Sequence, residues 1–204
     1  RLNAMNGTPY KNISALRESI ISLGSLSADY VAKMFHPIPD LPTVKDRKLY
    51  LTEKARGRVV LDIGCTGIIS AAIKASAKGY YGVDKIQTDG GEVVDIDHRP
   101  DLIPKHEDVE IIIASEVLEH LANPGYFLLA LREHYPARET YFPVPTAGAY
   151  SIQDACEIVN GDHVAWYSYT TLMTLLKRYG YSVREARWYN GAPYTAEGLI
   201  MVAT

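Results

Sequence analysis

Three histidines stand where a proton acceptor would be useful, namely His98, His120 and His163. Neutral imidazole takes up a proton near neutral pH, so each can act as a general base toward a reacting hydroxyl or amine. Each follows a segment whose pattern allows it to face a ligand pocket. As candidate bases we rank His163 first, His120 second and His98 third.

The string Glu-x-x-Glu-His at residues 116–120 suggests a second kind of chemistry. If a helix begins directly after Ser115, both glutamates and the histidine occupy positions i, i+3 and i+4 on one helix face. The three residues are Glu116, Glu119 and His120. Such a face can hold a divalent metal ion, but it equally fits residues that pack the chain or bind backbone groups. A metal is therefore an alternative to a metal-free site.

A strand–turn–helix unit at residues 59–70 is the element best suited to position a ligand beside these groups. An apolar, β-branched run that includes Asp62 meets a turn with two glycines, followed by a segment of helical pattern. Glycine lets the backbone approach a ligand closely, and the first amides of the helix point into the same space. We expect four residues at the ligand: Asp62, Gly64, Cys65 and Gly67.

A second acidic residue ends the next predicted strand, residues 80–84. Asp84 lies 22 positions beyond Asp62, which matches the rule that an acid about 20 residues after such a turn receives ribose hydroxyls. A carboxylate suits this role because it accepts hydrogen bonds from two neighbouring hydroxyls. The context favours a ribose-binding Asp84 over a solvated acid at a strand end.

The rest of the chain alternates predicted strands and helices, which favours a parallel sheet covered by helices on both faces. Strands are predicted at residues 92–97, 109–114 and 140–145, and helices at residues 68–78, 125–135 and after Ser168. The nearly continuous apolar run at 109–114 should lie at the centre of the sheet. Extended segments at 181–189 and 197–203 predict a final antiparallel hairpin.

The region ahead of the first strand has helical patterns. Apolar spacing predicts helices at residues 13–23, 26–34 and 43–56, with a proline-rich connector at 36–42. We expect one domain, in which residues 1–56 form an N-terminal helical cap or lid and residues 57–204 form the main α/β body.

Two strings in this body resemble motifs of the class I S-adenosylmethionine-dependent methyltransferases. DIGCTGIIS, residues 62–70, resembles their first motif, and SEVLEHLANP, residues 115–124, resembles their fourth. Compared with the frequent form DIGCGTG, the turn is one residue shorter and keeps Gly64 and Gly67. GDHVAWYSYTTLMTLLKRYGYSV, which begins at Gly161, resembles their C-terminal helix and strand, so the likeness covers about residues 59–204.

The resemblance implies a Rossmann-like, seven-stranded, mostly parallel sheet with an antiparallel last strand. It also implies S-adenosylmethionine as cofactor, with Asp95 or Asp97 accepting from the adenine amine and with Ser115 and Glu116 bordering the methyl donor. The expected activity is methyl transfer to an oxygen or nitrogen atom of a small molecule.

Two alternatives remain open within this resemblance. The Glu-x-x-Glu-His string, with a distant Asp-His before an aromatic residue, is similar to metal-dependent small-RNA 2′-O-methyltransferases. That likeness implies a metal set of Glu116, Glu119, His120 and His163. The short glycine turn, in contrast, suggests a non-catalytic cofactor-binding or interaction module. An oxidoreductase is disfavoured by the absence of the G-x-G-x-x-G pattern and by the final hairpin.

Composition limits the partners. The 204 residues carry a net charge of −3 with both signs interspersed, which gives no general footprint for nucleic acid. We find no apolar run long enough to span a bilayer and no signal-peptide pattern, and the two cysteines do not suggest a disulfide framework. We therefore expect a cytoplasmic protein that acts on a small molecule, with its oligomeric state open.

Overall fold

The computed structural model describes residues 39–146, 162–191 and 196–204. The helices predicted at 13–23 and 26–34 lie outside the described residues, as does Cys156. Within the described ranges, no helix is long and apolar enough to cross a membrane.

Eight strands form one sheet, and four α-helices accompany it in the described residues. The strands are β1 (Thr43–Val44), β2 (Val59–Ile63), β3 (Gly79–Asp84), β4 (Gly91–Val93), β5 (Ile111–Ala114), β6 (Glu139–Pro145), β7 (Val183–Tyr189) and β8 (Gly198–Ala203). The helices are α1 (Arg47–Ala55), α2 (Gly67–Ser76), α3 (Pro124–His134) and α4 (Tyr169–Arg178). Single 3-10 turns occur at Pro100–Leu102 and Leu118–His120.

The strand order is β1-β7-β8-β6-β5-β2-β3-β4. β8 runs antiparallel to both of its neighbours, β6 and β7, whereas the other pairs are parallel. This confirms the mostly parallel sheet with an antiparallel last strand. The additional strand is β1, whose two residues pair with Trp188 and Tyr189 at the edge of β7.

The apolar strands bury both faces of the sheet, as the run at 109–114 predicted. Along β5, Ile111 and Ile113 pack into one core with residues of α1 and α2, while Ile112 and Ala114 pack into the opposite core with α3 and α4. Successive side chains of a strand point to opposite faces, so an uninterrupted apolar run serves two cores at once. β5 lies between β6 and β2, near the middle of the sheet.

Helix boundaries follow local capping chemistry. The Asn123 side chain accepts from the backbone N–H of Tyr126 at 3.1 Å at the start of α3, and Pro124 occupies the first helical position. Ser168 and Thr171 form a reciprocal capping box at the start of α4. These caps fix where each helix begins after its loop.

Two predicted elements are shorter than the sequence pattern suggested. The helix expected at 43–56 covers only Arg47–Ala55, because Asp46 caps it and the two residues before Lys45 join the sheet as β1. The strand expected at 92–97 is limited to Gly91–Val93. Beyond it the chain turns, and the backbone N–H of Arg99 bonds to the carbonyl of Asp95 at 2.7 Å.

Candidate functional site

A cavity of about 860 Å³ opens where β2, β3 and β5 end. Ligands of open α/β sheets bind at this carboxyl edge of the strands. The lining residues are Arg47, Gly64, Thr66, Ile68, Ile69, Ser70, Asp84, Lys85, Ile86, Asp95, Ile96, Asp97, His98, Ser115, Glu116, Val117, His120, Leu121 and Asp162. Six of the nine predicted cofactor residues are among them. Asp62, Cys65 and Gly67 are not.

The short glycine turn is well formed. Gly64 has φ +76° and Gly67 has φ +78°, both in the left-handed region that glycine adopts without penalty. A Cβ at Gly64 would also stand 2.8 Å from Cγ2 of Val117. Gly64 therefore has to be glycine both for its backbone angle and for space, and its bare backbone forms part of the cavity wall.

Asp62 and Cys65 are buried residues at the start of this turn. Asp62 is 1% exposed, and the hydroxyl of Tyr80 donates to its Oδ2 at 2.8 Å. Burial raises the pKa of Asp62 to about 6, while hydrogen bonds from Ser70 and Tyr80 oppose that rise. The thiol of Cys65 is buried and lies 3.2 Å from Oγ1 of Thr88.

The acidic residues predicted to hold a nucleoside do line the cavity. Asp84 is largely buried at the end of β3, and its Oδ1 accepts from the backbone N–H of Ile86 at 3.2 Å. Asp95 binds the exposed ring of His98, with Oδ2 and Nδ1 3.0 Å apart. Asp97 uses Oδ1 to accept from the backbone N–H of Ala122 at 2.9 Å.

Two apolar side chains at the cavity escaped sequence reasoning. Ile68 is 77% exposed and Ile86 is 55% exposed, although both are large and aliphatic. Ile68 directly follows Gly67, and Ile86 lies two positions after Asp84, both of which the patterns identified. Their position at the mouth of a polar cavity fits contact with the flat face of a bound heterocycle.

The helix expected after Ser115 does not form, so the prediction that Glu116, Glu119 and His120 share one helix face is wrong. Glu116 has φ +56°, a left-handed angle that a helix cannot contain. Only a single 3-10 turn, Leu118–His120, follows it.

Glu116 instead belongs to a cluster with Arg47 and Tyr189. Nη1 of Arg47 donates to Oε1 of Glu116, and the hydroxyl of Tyr189 donates to the same oxygen at 2.7 Å. The Arg47 guanidinium also lies 4.8 Å from the centre of the Tyr189 ring. Burial, followed by the charge of Glu116, raises the pKa of Tyr189, which keeps its hydroxyl protonated as a donor.

Glu119, His120 and His163 do converge, through tertiary structure rather than through a helix face. One ligand atom from each lies within 4.8 Å of the other two. Glu119 is fully buried, and both of its carboxylate oxygens lack a hydrogen-bond partner among the described residues. Burial, and then the nearby charge of Glu116, raises the pKa of Glu119 to about 8. A group in this state needs a proton or a cation.

The three candidate bases occupy different positions relative to the cavity. His98 lies in the cavity wall with an exposed ring. His120 lines the cavity, and its Nδ1 lies 3.0 Å from the backbone carbonyl of Asp162. A carbonyl can only accept, so Nδ1 carries a proton, and in the neutral ring Nε2 is the nitrogen with the lone pair. His163 is not part of the cavity wall. It packs edge-on against His120, with ring centroids 4.6 Å apart, and burial followed by the charge of His120 lowers its pKa.

The polar cavity residues that were not among the predicted site residues are Arg47, Thr66, Ser70, Lys85 and Asp162. The backbone carbonyl of Asp162 accepts from His120, and a backbone contact leaves no trace in residue type. Arg47 is the first residue of α1, where a positive side chain opposes the helix dipole. The sequence predicted that this helix begins at residue 43, so this unfavourable position was not recognisable from the sequence.

The chain matches the model of a family described as a methyltransferase domain over residues 32–186, which is more than half of its length. No curated protein is significantly similar to it in sequence. A solved structure of a SAM-dependent methyltransferase from Archaeoglobus fulgidus has a TM-score of 0.60 at 15% identity, with 76% of this chain and 91% of that chain covered.

Two further solved structures carry bound ligands. The 1,6-didemethyltoxoflavin-N1-methyltransferase of Burkholderia thailandensis, with its substrate and S-adenosylhomocysteine, has a TM-score of 0.57 at 13% identity, covering 99% of this chain and 92% of that chain. Magnesium protoporphyrin IX methyltransferase of Synechocystis, with SAM, has a TM-score of 0.53 at 13% identity, covering 100% and 87%. At these identities the likeness shows a shared fold.

Proposed function

Because the chain belongs to the class I S-adenosylmethionine-dependent methyltransferase family, we propose that it transfers a methyl group to an oxygen or nitrogen atom of a small molecule. One observation carries this proposal. A single cavity is lined by Gly64 of the glycine turn, by Asp84 and by His120. Its volume of about 860 Å³ is in the range of small-molecule and cofactor sites. We call the part with Gly64 and Asp84 the donor end and the part with His120 the acceptor end.

The donor end has features that fit S-adenosylmethionine. The bare backbone of Gly64 leaves space that a Cβ would fill, and the Oγ of Ser115 is buried without a partner among the described residues. In this proposal Asp84 accepts from the ribose hydroxyls, and Asp95 or Asp97 accepts from the adenine amine. The first amides of α2 face the methionine carboxylate, which the helix dipole favours.

The acceptor end has a base in position. S-adenosylmethionine supplies a methyl group activated by a sulfonium, so the protein mainly has to align the reacting atoms and exclude water. The acceptor oxygen or nitrogen forms a bond to the methyl carbon while the electron pair of the carbon–sulfur bond goes to sulfur. Nε2 of His120 takes the acceptor's proton, because Nδ1–H is held by the carbonyl of Asp162.

A second candidate function, metal-assisted 2′-O-methylation of an RNA ribose, has one observation in its favour. Glu119, His120 and His163 converge closely enough to bind one divalent ion, which would polarise a ribose hydroxyl. Glu116, the remaining member of the expected set, is engaged by Arg47 and Tyr189 instead. The cavity's charged side chains also include more carboxylates than cations, which favours a small molecule over a polyanion.

Calorimetric titration with S-adenosylmethionine and S-adenosylhomocysteine tests the proposal. We expect binding in the micromolar range, about −8 kcal/mol, and none with NAD. Asp84→Asn should weaken it roughly 10- to 100-fold, because two hydrogen bonds to a charged acceptor are lost. Asp108→Asn is the matched control, since Asp108 is exposed and bonds only to Tyr81 among the described residues.

Each outcome of this titration has a consequence. Binding that depends on Asp84 justifies a methyl-acceptor screen with and without divalent metal. A wild-type protein that binds neither compound would contradict the enzyme proposal and favour a non-catalytic interaction module.

A further inference from the structure

The backbone at Glu116 is held in an unusual conformation in the wall of the cavity. Its φ of +56° is rare for a residue with a long side chain, and such angles persist only where the surroundings enforce them. Here the backbone N–H of Glu116 donates to the carbonyl of Pro143 at 2.9 Å. The consequence is that the carboxylate points along the cavity wall toward α1 and β7.

The carboxylate is then fixed from one side only. Arg47 and Tyr189 both donate to Oε1, whereas Oε2 accepts no hydrogen bond from any described residue. The Glu116 side chain is 32% exposed and lines the cavity. One oxygen is therefore held in place by Arg47 and Tyr189, and the other has no such contact on a side chain that lines the cavity.

Arg47 and Tyr189, which bind Glu116, are themselves held in place by neighbouring residues. Tyr189 is 2% exposed, and its hydroxyl occupies space beside Gly198, where a Cβ would stand 2.1 Å away. The backbone N–H of Arg47 donates to Oδ1 of Asn190 at 3.3 Å. Tyr189 is paired with β1, the strand that leads into α1, so both donors move with one edge of the sheet.

The ion pair between Arg47 and Glu116 also neutralises the positive charge of Arg47. The other lysine or arginine of the wall, Lys85, follows Asp84 at the donor end. An acceptor with a carboxylate or phosphate would meet the carboxylate of Glu116 without an unpaired cation beside it. Like charges this close disfavour binding.

We propose that Oε2 of Glu116 binds the methyl acceptor by accepting a hydrogen bond from it, and that the acceptor is accordingly a neutral or cationic molecule with an N–H or O–H group. This inference rests on the proposed function and specifies its substrate class. It assigns Glu116 to acceptor binding, whereas the sequence motif placed it with the donor.

Three matched fragments test this: benzylamine, benzyl alcohol and benzoate, each titrated into the protein saturated with S-adenosylhomocysteine. We expect the amine and the alcohol to bind at least about tenfold more tightly than benzoate, a difference of about 1.4 kcal/mol. Glu116→Gln keeps an acceptor for Arg47 and Tyr189 but can turn the free position into a donor. It should abolish this preference and leave the affinity for S-adenosylhomocysteine within about threefold.

Two variants keep the test interpretable. Tyr189→Phe retains the buried ring and removes one bond to Oε1, so we expect a smaller loss of the preference in a folded protein. Glu107→Gln changes an exposed glutamate outside the cavity wall and should have no effect.

Equal affinity for the three fragments, including no binding by any of them, would overturn the inference. So would a loss of S-adenosylhomocysteine affinity in Glu116→Gln as large as the loss of benzylamine affinity, because Glu116 would then be a donor ligand. Failure of the proposed function has a different signature, since the wild-type protein would not bind S-adenosylhomocysteine at all.

Discussion

Asp62 lies two positions before Gly64 of the glycine turn, which we assign to the donor, and Glu119 directly precedes His120, which we assign to the acceptor. Both residues are buried, with exposed fractions of 1% and 0%. The hydroxyl of Tyr80 donates to Asp62, whereas Glu119 has no side-chain partner among the described residues. Burial raises the pKa of Asp62 to about 6 and that of Glu119 to about 8. The donor end is thus completed by the protein itself, whereas the acceptor end has a buried charge site that needs a proton, a metal ion or a substrate.

The largest expected effect concerns His120, which adjoins Glu119. His120→Gln removes the base and should lower the methyl-transfer rate by ~10²–10⁴-fold, while donor affinity stays unchanged because the donor end is separate. Initial rates measured with an acceptor from the screen, together with calorimetry, check this. A greater loss in His163→Gln than in His120→Gln would instead support the ranking suggested by the sequence.

Glu119→Gln tests the unpaired carboxyl through stability. The pKa of Glu119 is raised from 4.5 to about 8, so its protonated form favours folding below pH 4.5, and this contribution is lost as pH rises toward 8. The free energy of unfolding of the wild type should therefore fall by up to about 1.4 kcal/mol per pH unit relative to the variant in this window. Denaturant titrations at several pH values measure the difference.

A metal would reverse this result, because it requires the ionised carboxylate. In metal-free buffer the variant should be more stable than the wild type at pH 8. If Mn²⁺ or Zn²⁺ raises the melting temperature of the wild type but not of Glu119→Gln, the convergence of Glu119, His120 and His163 is a metal site. If the difference between the two proteins does not change with pH, Glu119 is ionised and paired.

The smallest expected effect comes from removing a hydrogen bond to Asp62, so that this buried carboxyl group has one partner fewer and becomes more like Glu119. Tyr80→Phe removes the hydrogen bond to buried Asp62 and should cost about 1 kcal/mol of stability at neutral pH. Tyr81→Phe is the matched control, since its hydroxyl bonds to the exposed Asp108. Equal effects of the two substitutions, measured by denaturant unfolding, would show that Asp62 does not depend on Tyr80.

The sequence was informative about the donor end because most of that end is built from residues that are close together in the chain. The strand, turn and helix from Val59 to Ser76 are contiguous, and apolar periodicity with Gly64 and Gly67 is enough to predict them. Asp84 was identified by its spacing from Asp62 together with its place at the end of a predicted strand. The even alternation of later strands and helices likewise predicted the sheet, apart from β1, whose two residues have no periodicity to detect.

The acceptor end was less predictable because its contacts span long stretches of chain. Glu116 meets Arg47 across 69 positions and Tyr189 across 73, and neither pairing has a pattern in one sequence. The helical spacing of Glu116, Glu119 and His120 was misleading, since the left-handed backbone at Glu116 breaks the helix on which the face depends. Convergence of Glu119 with His163 arose instead from the docking of a distant loop.

The antiparallel strand β8 has a consequence for the order of folding. It lies between β6 and β7, so among the described strands β7 and its edge partner β1 reach β6 only through β8. Strands β2 to β5 pair within one continuous stretch of chain and close shorter loops, which is kinetically favoured. We therefore expect a folding intermediate to form the edge of the sheet that carries Gly64 and Asp84 first, and the cluster of Glu116, Arg47 and Tyr189 only when β8 docks.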